Sequence, residues 1–498
     1  MNGSIVLRDG WVVDGSGAPG RTADVVLAGD RIVDIAPPGQ GRGASGSEVI
    51  DCLGLVIAPG FIDVHTHDDA VVLEAPMMLP KLSQGVTTVV VGNCGISLAP
   101  LVTESPIEPL GLLGREQFCH ASLAAYAEAV DAARPAVNVA ALIGHTSLRA
   151  CVMSDLSRAA DARERESMAA AMRQAMDEGA FGVSSGVFYA NAYAADEREI
   201  VAIAREAGAK GGVYATHIRD ELAGILDAMQ EAAQAAGSAR VPLIFSHHKC
   251  AGPANWGRVR ETLALIDRIA GDQPVGLDVY PYTAGSTVLR EDLVDGVIDI
   301  LITHSQPHPE FVGWLLADIA RHWGVSEGTA CRRLQPGGAC YFQMNEDDVQ
   351  RVLKHPLTMI GSDGLPHDAR PHPRLWGAFP RVLGHYCREL GLLGLEEAVH
   401  KMTGLSAARF GLSERGTLRP GHYADVVVFD PRRIVDRATF ANPGVPSEGV
   451  VHVFVNGRHS YAEGEGGGEG MGLSRAGRFL RRAGSCMRPG FGESIYCK

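Results

Sequence analysis

The 498-residue chain is predicted to have an α/β fold, because apolar strand-like runs alternate with amphipathic helical segments between residues 59 and 412. Near-continuous apolar strands separated by helices are typical of a parallel sheet that is covered on both faces. Eight such units predict a closed (β/α)₈ barrel, a TIM-like fold whose functional residues lie at the carboxyl ends of the strands. The predicted strands are 61–66, 87–93, 138–144, 180–185, 212–217, 242–247, 275–281 and 358–362.

The segments between the predicted strands show the helical spacing of apolar residues. The alternation is interrupted before the last strand, since residues 283–357 are too many for one loop and one helix. We therefore expect an insertion of about 283–357 near the last barrel strand, lying over the barrel mouth in the position of a lid. The predicted helices include 121–133, 161–178, 196–208, 220–236, 256–270 and 376–390.

Short β-type segments separated by turn residues occupy both ends of the chain, at 1–58 and at 413–461. The run Ala23-Asp-Val-Val-Leu even resembles Ala424-Asp-Val-Val-Val. We expect strands from both termini to pair in one small β-sandwich, with the barrel inserted between them. Residues 462–498 form a Gly- and Arg-rich tail that we expect to be poorly ordered, with a short helix around 473–482 as the alternative.

Composition limits the class of partner. Hydrophobic residues make up 46% and charged residues 21%, as in a globular enzyme. The net charge is −13 and no Lys/Arg run is present, which argues against nucleic acid or a membrane as partner and leaves a small-molecule substrate. The ten cysteines follow no repeated spacing, and no signal peptide precedes them, so we expect a reduced, cytoplasmic protein. Nothing in the sequence indicates an oligomeric state.

The first predicted strand ends in Gly-Phe-Ile-Asp-Val-His-Thr-His at residues 60–67. Alternation along a strand places His65 and His67 on the same face. Two neighbouring imidazoles at a strand end form half of a site for a divalent metal such as zinc. On this motif alone, a chance pair of histidines is an equally good interpretation.

Further metal-ligand types follow later strands. Cys94 follows the second strand, His217 the fifth and Asp363 the eighth, while His247 and His248 both follow the sixth. Carboxyl ends of parallel barrel strands meet at one rim, so these side chains are expected to converge. Only one of the two adjacent histidines can point to the barrel axis, and alternation does not decide which. The convergence predicts a metal-dependent hydrolase.

Longer motifs carry a family resemblance that covers about residues 1–460. The first-strand motif, the flanking β-segments and the eighth-strand Asp resemble the amidohydrolase superfamily. More narrowly, the sequence resembles N-acyl-D-amino-acid deacylases, also called D-aminoacylases. The motifs are Val-Gly-Asn-Cys-Gly at 91–95, Ser-His-His-Lys at 246–249, Asp-Val-Tyr-Pro-Tyr at 278–282, Gly-Ser-Asp-Gly-Leu-Pro-His-Asp at 361–368, Pro-His-Pro-Arg-Leu-Trp-Gly at 371–377 and Lys-Met-Thr-Gly at 401–404.

The resemblance implies a zinc cofactor and a ligand set. It implies a tightly bound Zn²⁺ at Cys94, His217 and His247, and so chooses His247 over His248. It implies a weaker second position at His65, His67 and Asp363, with the Cys94 thiolate shared between the two. Many superfamily members bridge two metals with a carboxylated lysine after the fourth strand. Here Gly182-Val-Ser-Ser-Gly contains no lysine, which agrees with Cys94 in its place.

The implied activity is hydrolysis of the amide bond of N-acyl-D-amino acids to a carboxylate and a free D-amino acid. In it, Asp363 acts as general base and then general acid on a metal-activated water. A turn-stabilising role before Gly364 is the other interpretation of Asp363. The residues implied in substrate binding are Lys249, Tyr280, Ser286 and Arg374, for which surface ion pairing or wall packing are the alternatives.

Two other functions remain open from the sequence. The first is a cyclic-amide hydrolase of the dihydroorotase or hydantoinase type, or a deaminase, with similar metal chemistry. The second is a non-catalytic barrel scaffold, which is expected to have lost ligands, whereas this chain keeps all six positions. Specificity for the D-enantiomer is implied by the resemblance alone.

Overall fold

The computed structural model describes residues 4–114, 117–464 and 474–482. Its first strands form a sheet rather than part of the barrel. Strand β1 pairs antiparallel with β2 and parallel with both β4 and β5, so the sheet branches at β1. The turn between the second and third strands contains Gly29, whose φ of +61° is easily adopted by glycine. These strands are β1 (Ile5–Val12), β2 (Arg21–Ala28), β3 (Arg31–Ala36), β4 (Glu48–Asp51) and β5 (Val56–Pro59).

The barrel strands follow, and they are buried along their whole length. Burial on both faces explains why their sequences are nearly continuous apolar runs. Two short strands between them, β8 and β9, pair only with each other within the described residues. The strands are β6 (Phe61–Asp63), β7 (Val86–Val91), β8 (Leu101–Val102), β9 (Cys119–His120), β10 (Asn138–Gly144), β11 (Gly182–Gly186), β12 (Val213–His217), β13 (Leu243–Phe245) and β14 (Val275–Val279).

The helices around the barrel begin where the sequence supplies caps. The Asp161 side chain accepts from Glu164 N and the Glu164 side chain accepts from Asp161 N, a capping box at the start of the 162–177 helix. None of the described helices is both long enough and apolar enough to cross a membrane. The helices are α1 (Val71–Glu74), α2 (Leu79–Leu82), α3 (Leu123–Ala133), α4 (His145–Val152), α5 (Ala162–Asp177), α6 (Ala190–Tyr193), α7 (Glu197–Ala209), α8 (Ile225–Ala239) and α9 (Val259–Asp272), with 3₁₀ turns at Leu110–Leu113 and Pro253–Asn255.

The predicted insertion contains a small antiparallel sheet in the order β15-β17-β16, with helices packed on it. Its apolar side chains, among them Ile302, Leu316 and Leu334, form a hydrophobic cluster of their own. The last barrel helix and strand follow it. The elements are β15 (Gly285–Val288), β16 (Ile300–Ser305), α10 (Leu316–Trp323), α11 (Glu327–Leu334), β17 (Gly337–Tyr341), α12 (Glu346–Lys354) and β18 (Thr358–Ile360), with 3₁₀ turns at Glu291–Leu293 and Pro309–Phe311.

The C-terminal strands return to the first sheet, because β19 pairs antiparallel with β5. Strands from both ends of the chain therefore share one eight-stranded sheet, in the order β21-β20-β19-β5-β1-β2-β3 with β4 beside β1. The remaining elements are α13 (Arg374–Arg381), a π-helical segment (Val382–Glu389), α14 (Leu395–Met402), α15 (Gly404–Phe410), β19 (Val426–Phe429), β20 (Val450–Val455) and β21 (Arg458–Ala462).

The barrel sheet has the order β6-β7-β10-β11-β12-β13-β14-β18 and closes between its first and last strands. The closure lies just beyond the strand ends, where Asp363 N donates to His65 O at 2.7 Å and His67 N donates to Gly364 O at 3.2 Å. These backbone bonds place Asp363 beside the two histidines of the first strand. We call this junction the barrel seam.

A buried lysine reinforces the barrel seam from below. Lys81 is fully buried, and its Nζ lies 2.7 Å from Asp63 Oδ2, 3.1 Å from Asp68 Oδ2 and 2.9 Å from Ser362 Oγ. Burial alone would lower the pKa of Lys81, but Asp63 and Asp68 raise it above the ordinary value. The ammonium group is therefore charged and links the end of the first barrel strand to Ser362, two residues beyond the last one.

Residues 474–482 differ from the expectation of a helix or of poor order, since they are extended against the barrel. Leu480 N donates to Val139 O at 2.7 Å, and Val139 N donates to Arg478 O at 3.0 Å. This segment adds strand-like pairing to β10, which satisfies backbone groups that a helix would satisfy internally. The other residues of the predicted tail beyond 464 lie outside the described residues.

We predict that Lys81→Met destabilises the protein by roughly 3–5 kcal/mol, because Asp63 and Asp68 would be left as unpaired buried charges. Urea unfolding followed by circular dichroism measures this loss. Lys210→Met is the matched control: Lys210 pairs with Asp177 at the surface, and its removal should cost less than about 1 kcal/mol. Equal losses of unfolding free energy in the two variants would show that the buried ion pairs of Lys81 stabilise the protein no more than a surface pair does.

Candidate metal centre

The six predicted ligands converge at the carboxyl ends of the barrel strands. Their nitrogen, sulfur and oxygen atoms form two groups, and within each group these atoms lie within 4.8 Å of one another. Cys94 belongs to both groups and so lies between them. All six residues are buried. The groups are His65, His67, Cys94 and Asp363, and Cys94, His217 and His247.

The donor atoms of the first group are close enough to share one cation. His65 Nδ1 lies 3.2 Å from the carboxylate of Asp278. His65 Nε2 lies 3.2 Å from Cys94 Sγ and 3.5 Å from Asp363 Oδ1. An imidazole nitrogen, a thiolate and a carboxylate that converge in a buried site fit a bound cation, which would replace the proton on Nε2.

The second group shows the same pattern. His247 Nε2 lies 3.4 Å from Cys94 Sγ and 3.1 Å from His217 Nδ1. These three atoms are close enough together to surround one ion. A thiolate and two imidazoles are a typical donor set for zinc. The residues present therefore fit a metal of this kind.

Three of the six residues have a left-handed backbone, with φ of +51° at Cys94, +35° at His247 and +49° at Asp363. Residues other than glycine adopt this region at an energetic cost, and such positions concentrate at functional sites. Each of the three lies two to three residues beyond its strand, which ends at Val91, Phe245 or Ile360. The turn directs the side chain back over the barrel axis.

The structure decides between the two adjacent histidines that alternation left open. His247 is in the cluster, whereas His248 Nε2 lies 2.7 Å from Thr262 Oγ1. Burial, aided by the charge of Lys249, lowers the pKa of His248 to about 3, so this ring is neutral. His248 is thus a structural residue.

Charge is balanced within the cluster. Burial on its own would raise the pKa of the Cys94 thiol, but His65 and His247 lower it well below the ordinary value. Burial would likewise raise the pKa of Asp363, but Arg374 and His65 lower it well below the ordinary value. Both groups are therefore anionic at neutral pH, as metal ligation and proton acceptance require.

Sequence reasoning missed two carboxylates that orient the histidines. Besides contacting His65, Asp278 accepts a hydrogen bond from His247 N at 2.9 Å. Glu221 Oε1 lies 3.1 Å from His247 Nδ1 and 2.5 Å from Lys249 Nζ. A signal for Asp278 was available, since an Asp within an apolar strand is buried and needs a partner. Glu221, four residues after His217, carried no comparable signal.

Of the four predicted substrate residues, three form one group at the rim. Arg374 Nη1 lies 2.9 Å from Asp363 Oδ2, Nη2 donates to Ser286 O at 3.0 Å, and the guanidinium carbon lies 4.4 Å from the centre of the Tyr280 ring. Lys249 differs, because its Nζ already contacts Glu221 and lies 2.8 Å from His247 Nδ1. Its position is that of a charge beside the metal ligands.

A cavity opens above the cluster. We call it the inner cavity. Lys249, Tyr280 and Ser286 line it, and the insertion covers one side with residues that include Thr287 and Tyr341. Its remaining lining includes His67, His217, His247 and Asp363 at the floor and Leu112, Phe188, Tyr189 and Leu293 on the walls.

Comparison with known proteins gives consistent results. The family model described as the amidohydrolase family matches residues 48–297 and 314–461. A D-aminoacylase of Alcaligenes xylosoxydans xylosoxydans is 50% identical over 460 residues, which cover 92% of this chain and 94% of that protein. An N-acyl-D-aspartate deacylase of the same organism is 47% identical over 477 residues, which cover 95% of this chain and 94% of that protein.

A solved structure supports the same relationship. An N-acyl-D-glutamate deacylase from Bordetella bronchiseptica, complexed with zinc and a phosphonate mimic of the tetrahedral intermediate, matches with a TM-score of 0.91. It is 45% identical, and the match covers 97% of this chain and 100% of that one. The predicted barrel fold and the predicted family are confirmed. The chain belongs to the amidohydrolase family and, within it, to the N-acyl-D-amino-acid deacylases.

Proposed function

We propose that this protein is a zinc-dependent enzyme that hydrolyses N-acyl-D-amino acids to a carboxylate and a free D-amino acid. The observation that carries the proposal is the cluster of six candidate ligand residues beneath a cavity that has donors for a carboxylate at its rim. The D-enantiomer follows from the relatives, which are named for N-acyl-D-amino acids.

In this proposal Cys94, His217 and His247 would hold a tightly bound zinc ion. His65, His67 and Asp363, with Cys94 shared between the two groups, would hold a second, weaker one. Zinc in such a set supplies Lewis acidity toward a carbonyl and makes water a nucleophile at neutral pH.

Asp363 is the proton carrier in the proposed reaction. One of its oxygens is 2.9 Å from Arg374 and the other is 3.2 Å from His67 Nε2, so the carboxylate is held in one orientation. It takes a proton from the attacking water and passes it to the amide nitrogen as the C–N bond breaks. The amino-acid half of the substrate must therefore lie at the Asp363 end of the cluster.

Unpaired donors beside Asp363 suit the α-carboxylate of that amino acid. Arg374 Nε and Ser286 Oγ are buried and make no hydrogen bond within the described chain. Within the described part of the chain, the hydrogen-bond partner of Tyr280 Oη is the sulfur of Met344, at 3.7 Å. Buried donors normally find partners, and a carboxylate bound here would supply them with charge-assisted hydrogen bonds. Lys249 contributes positive charge to this part of the site, while its ammonium group contacts Glu221 and His247.

The carboxylate site separates the proposal from a hydantoinase, because a hydantoin ring has no free α-carboxylate for Arg374 and Ser286 to bind. Dihydroorotate does carry a carboxylate, so the comparison with a dihydroorotase depends on the residue after the fourth barrel strand. A lysine that could bridge two metals is missing from β11, where Ser184 Oγ donates to the Gly92 carbonyl beyond β7 and Ser185 Oγ pairs with Thr216 Oγ1 in β12. A non-catalytic scaffold would have no use for an anionic Asp363 aimed into the inner cavity.

The test is to incubate the purified protein, with its zinc content measured, with the N-acetyl forms of D- and L-Met, Leu, Glu and Asp and to quantify amine release. We expect hydrolysis of D-substrates only. Turnover of L-substrates alone, or ring opening of hydantoin without any deacylation, would overturn the proposal.

We predict that Asp363→Asn lowers kcat by about 10²- to 10⁴-fold, because the amide cannot carry the proton. The tightly bound zinc should remain, since Asp363 is not in the Cys94, His217 and His247 group. Steady-state kinetics and atomic emission on the same preparation measure both quantities. Near-normal turnover in the variant would remove Asp363 from the mechanism.

We predict that Cys94→Ser loses most of the bound zinc and the activity with it, because a serine hydroxyl is not a thiolate at neutral pH. Cys52→Ser is the matched control. Cys52 is also buried and free, but burial raises the pKa of its thiol to about 12, so it stays protonated. Equal zinc content in both variants would contradict the role of Cys94.

A further inference from the structure

A second and larger cavity lies next to the inner cavity. We call it the outer cavity. Tyr189 lines both cavities. Strand β15 also passes between them, since Thr287 lines the inner cavity and the following Val288 lines the outer one. The outer lining combines an apolar part with a charged part, which consists of Glu108, Arg290, Glu291 and Asp292. The apolar residues are Pro109, Ala190, Val288, Leu289 and Pro336.

The wall between the two cavities is thin. Its centre is one pair of side chains, Tyr189 Oη and Thr287 Oγ1, which lie 3.2 Å apart. Beside them Arg290 covers the Phe188 ring at 4.2 Å and donates to Phe188 O at 3.1 Å. The wall is therefore formed by contacts between the loop after β11 and the insertion, with no strand of the barrel between the cavities.

The wall also contacts the His217 end of the ligand cluster. The His217 ring stacks on Phe188 at 4.5 Å and meets the Tyr189 ring edge-on at 5.2 Å. His217 and Asp363 belong to different ligand groups, with Cys94 between them. Since the amino-acid half of the substrate lies at the Asp363 end, the acyl half points toward the His217 end and so toward Tyr189.

We propose that the outer cavity binds the distal part of a long acyl chain, so that N-acyl-D-amino acids with medium and long aliphatic acyl groups are preferred substrates. The chain passes between Tyr189 and Thr287, whose side chains rotate apart, and its methylenes lie along Val288, Leu289 and Pro336. This inference rests on the proposed deacylase function and extends it to the acyl group. Burying a methylene group favours binding by about fourfold, so several of them change affinity strongly.

The experiment incubates the zinc-loaded enzyme with N-acetyl-D-methionine or with N-octanoyl-D-methionine and measures the amine released from each substrate. We expect the octanoyl substrate to have a KM at least about tenfold lower, from burial of a few methylene groups in the outer cavity. Hydrolysis of the acetyl substrate with no gain, or a loss, for the octanoyl one overturns this inference and leaves the deacylase function standing. Hydrolysis of neither overturns both.

Two variants test the location. Ala190→Trp fills the outer cavity from an exposed position, and Val288→Asp places a charge in it; neither residue touches the ligand cluster. Each should reduce kcat/KM for the octanoyl substrate at least about tenfold while the acetyl value changes less than about twofold. Ala132→Trp, on the exposed face of α3, is the matched control and should change neither. Equal losses on both substrates in the two cavity variants would place the acyl chain elsewhere.

Discussion

The arrangement of the whole site depends on the barrel seam, where the first and last strands meet. Two backbone hydrogen bonds place Asp363 beside His65 and His67, although nearly 300 residues of chain separate them. Lys81 holds the seam from the interior through charged contacts that are buried on all sides. A buried ion pair adds little net stability but is strongly destabilising when broken, so it fixes one geometry. The seam thus brings two segments that are distant in sequence together in one candidate ligand group.

In the site beside the barrel seam, each carboxylate lies next to a basic side chain. Each carboxylate has a defined partner: Asp278 faces His65, Glu221 faces Lys249, and Asp363 faces Arg374. The partners fix which ring nitrogen carries a proton and which lone pair is free. The same charges keep Asp363 anionic, and Arg374 in turn lies where the substrate's carboxylate is expected. In the proposed mechanism, metal binding, proton transfer and substrate recognition therefore share one set of side chains.

The sequence predicted the features that follow from strand ends. Because carboxyl ends of parallel strands meet, the positions of Cys94, His217 and Asp363 sufficed to expect convergence. The sequence did not predict features that depend on the backbone conformation beyond the strand ends. The backbone at His247 is left-handed, and His248 lies outside the cluster. The alternation of residues along a strand does not predict this turn. The partners of Lys249 depend on a loop from another strand, and residues 474–482 pair with a strand distant in sequence.

The central claim is that Cys94 and histidines from separate strands bind one zinc ion. X-ray absorption at the zinc edge of the purified protein tests it most directly. The account predicts one sulfur ligand at about 2.3 Å with imidazole nitrogens at about 2.0–2.1 Å. A zinc shell of nitrogen and oxygen alone, or protein that is active without zinc or another divalent metal, would contradict it.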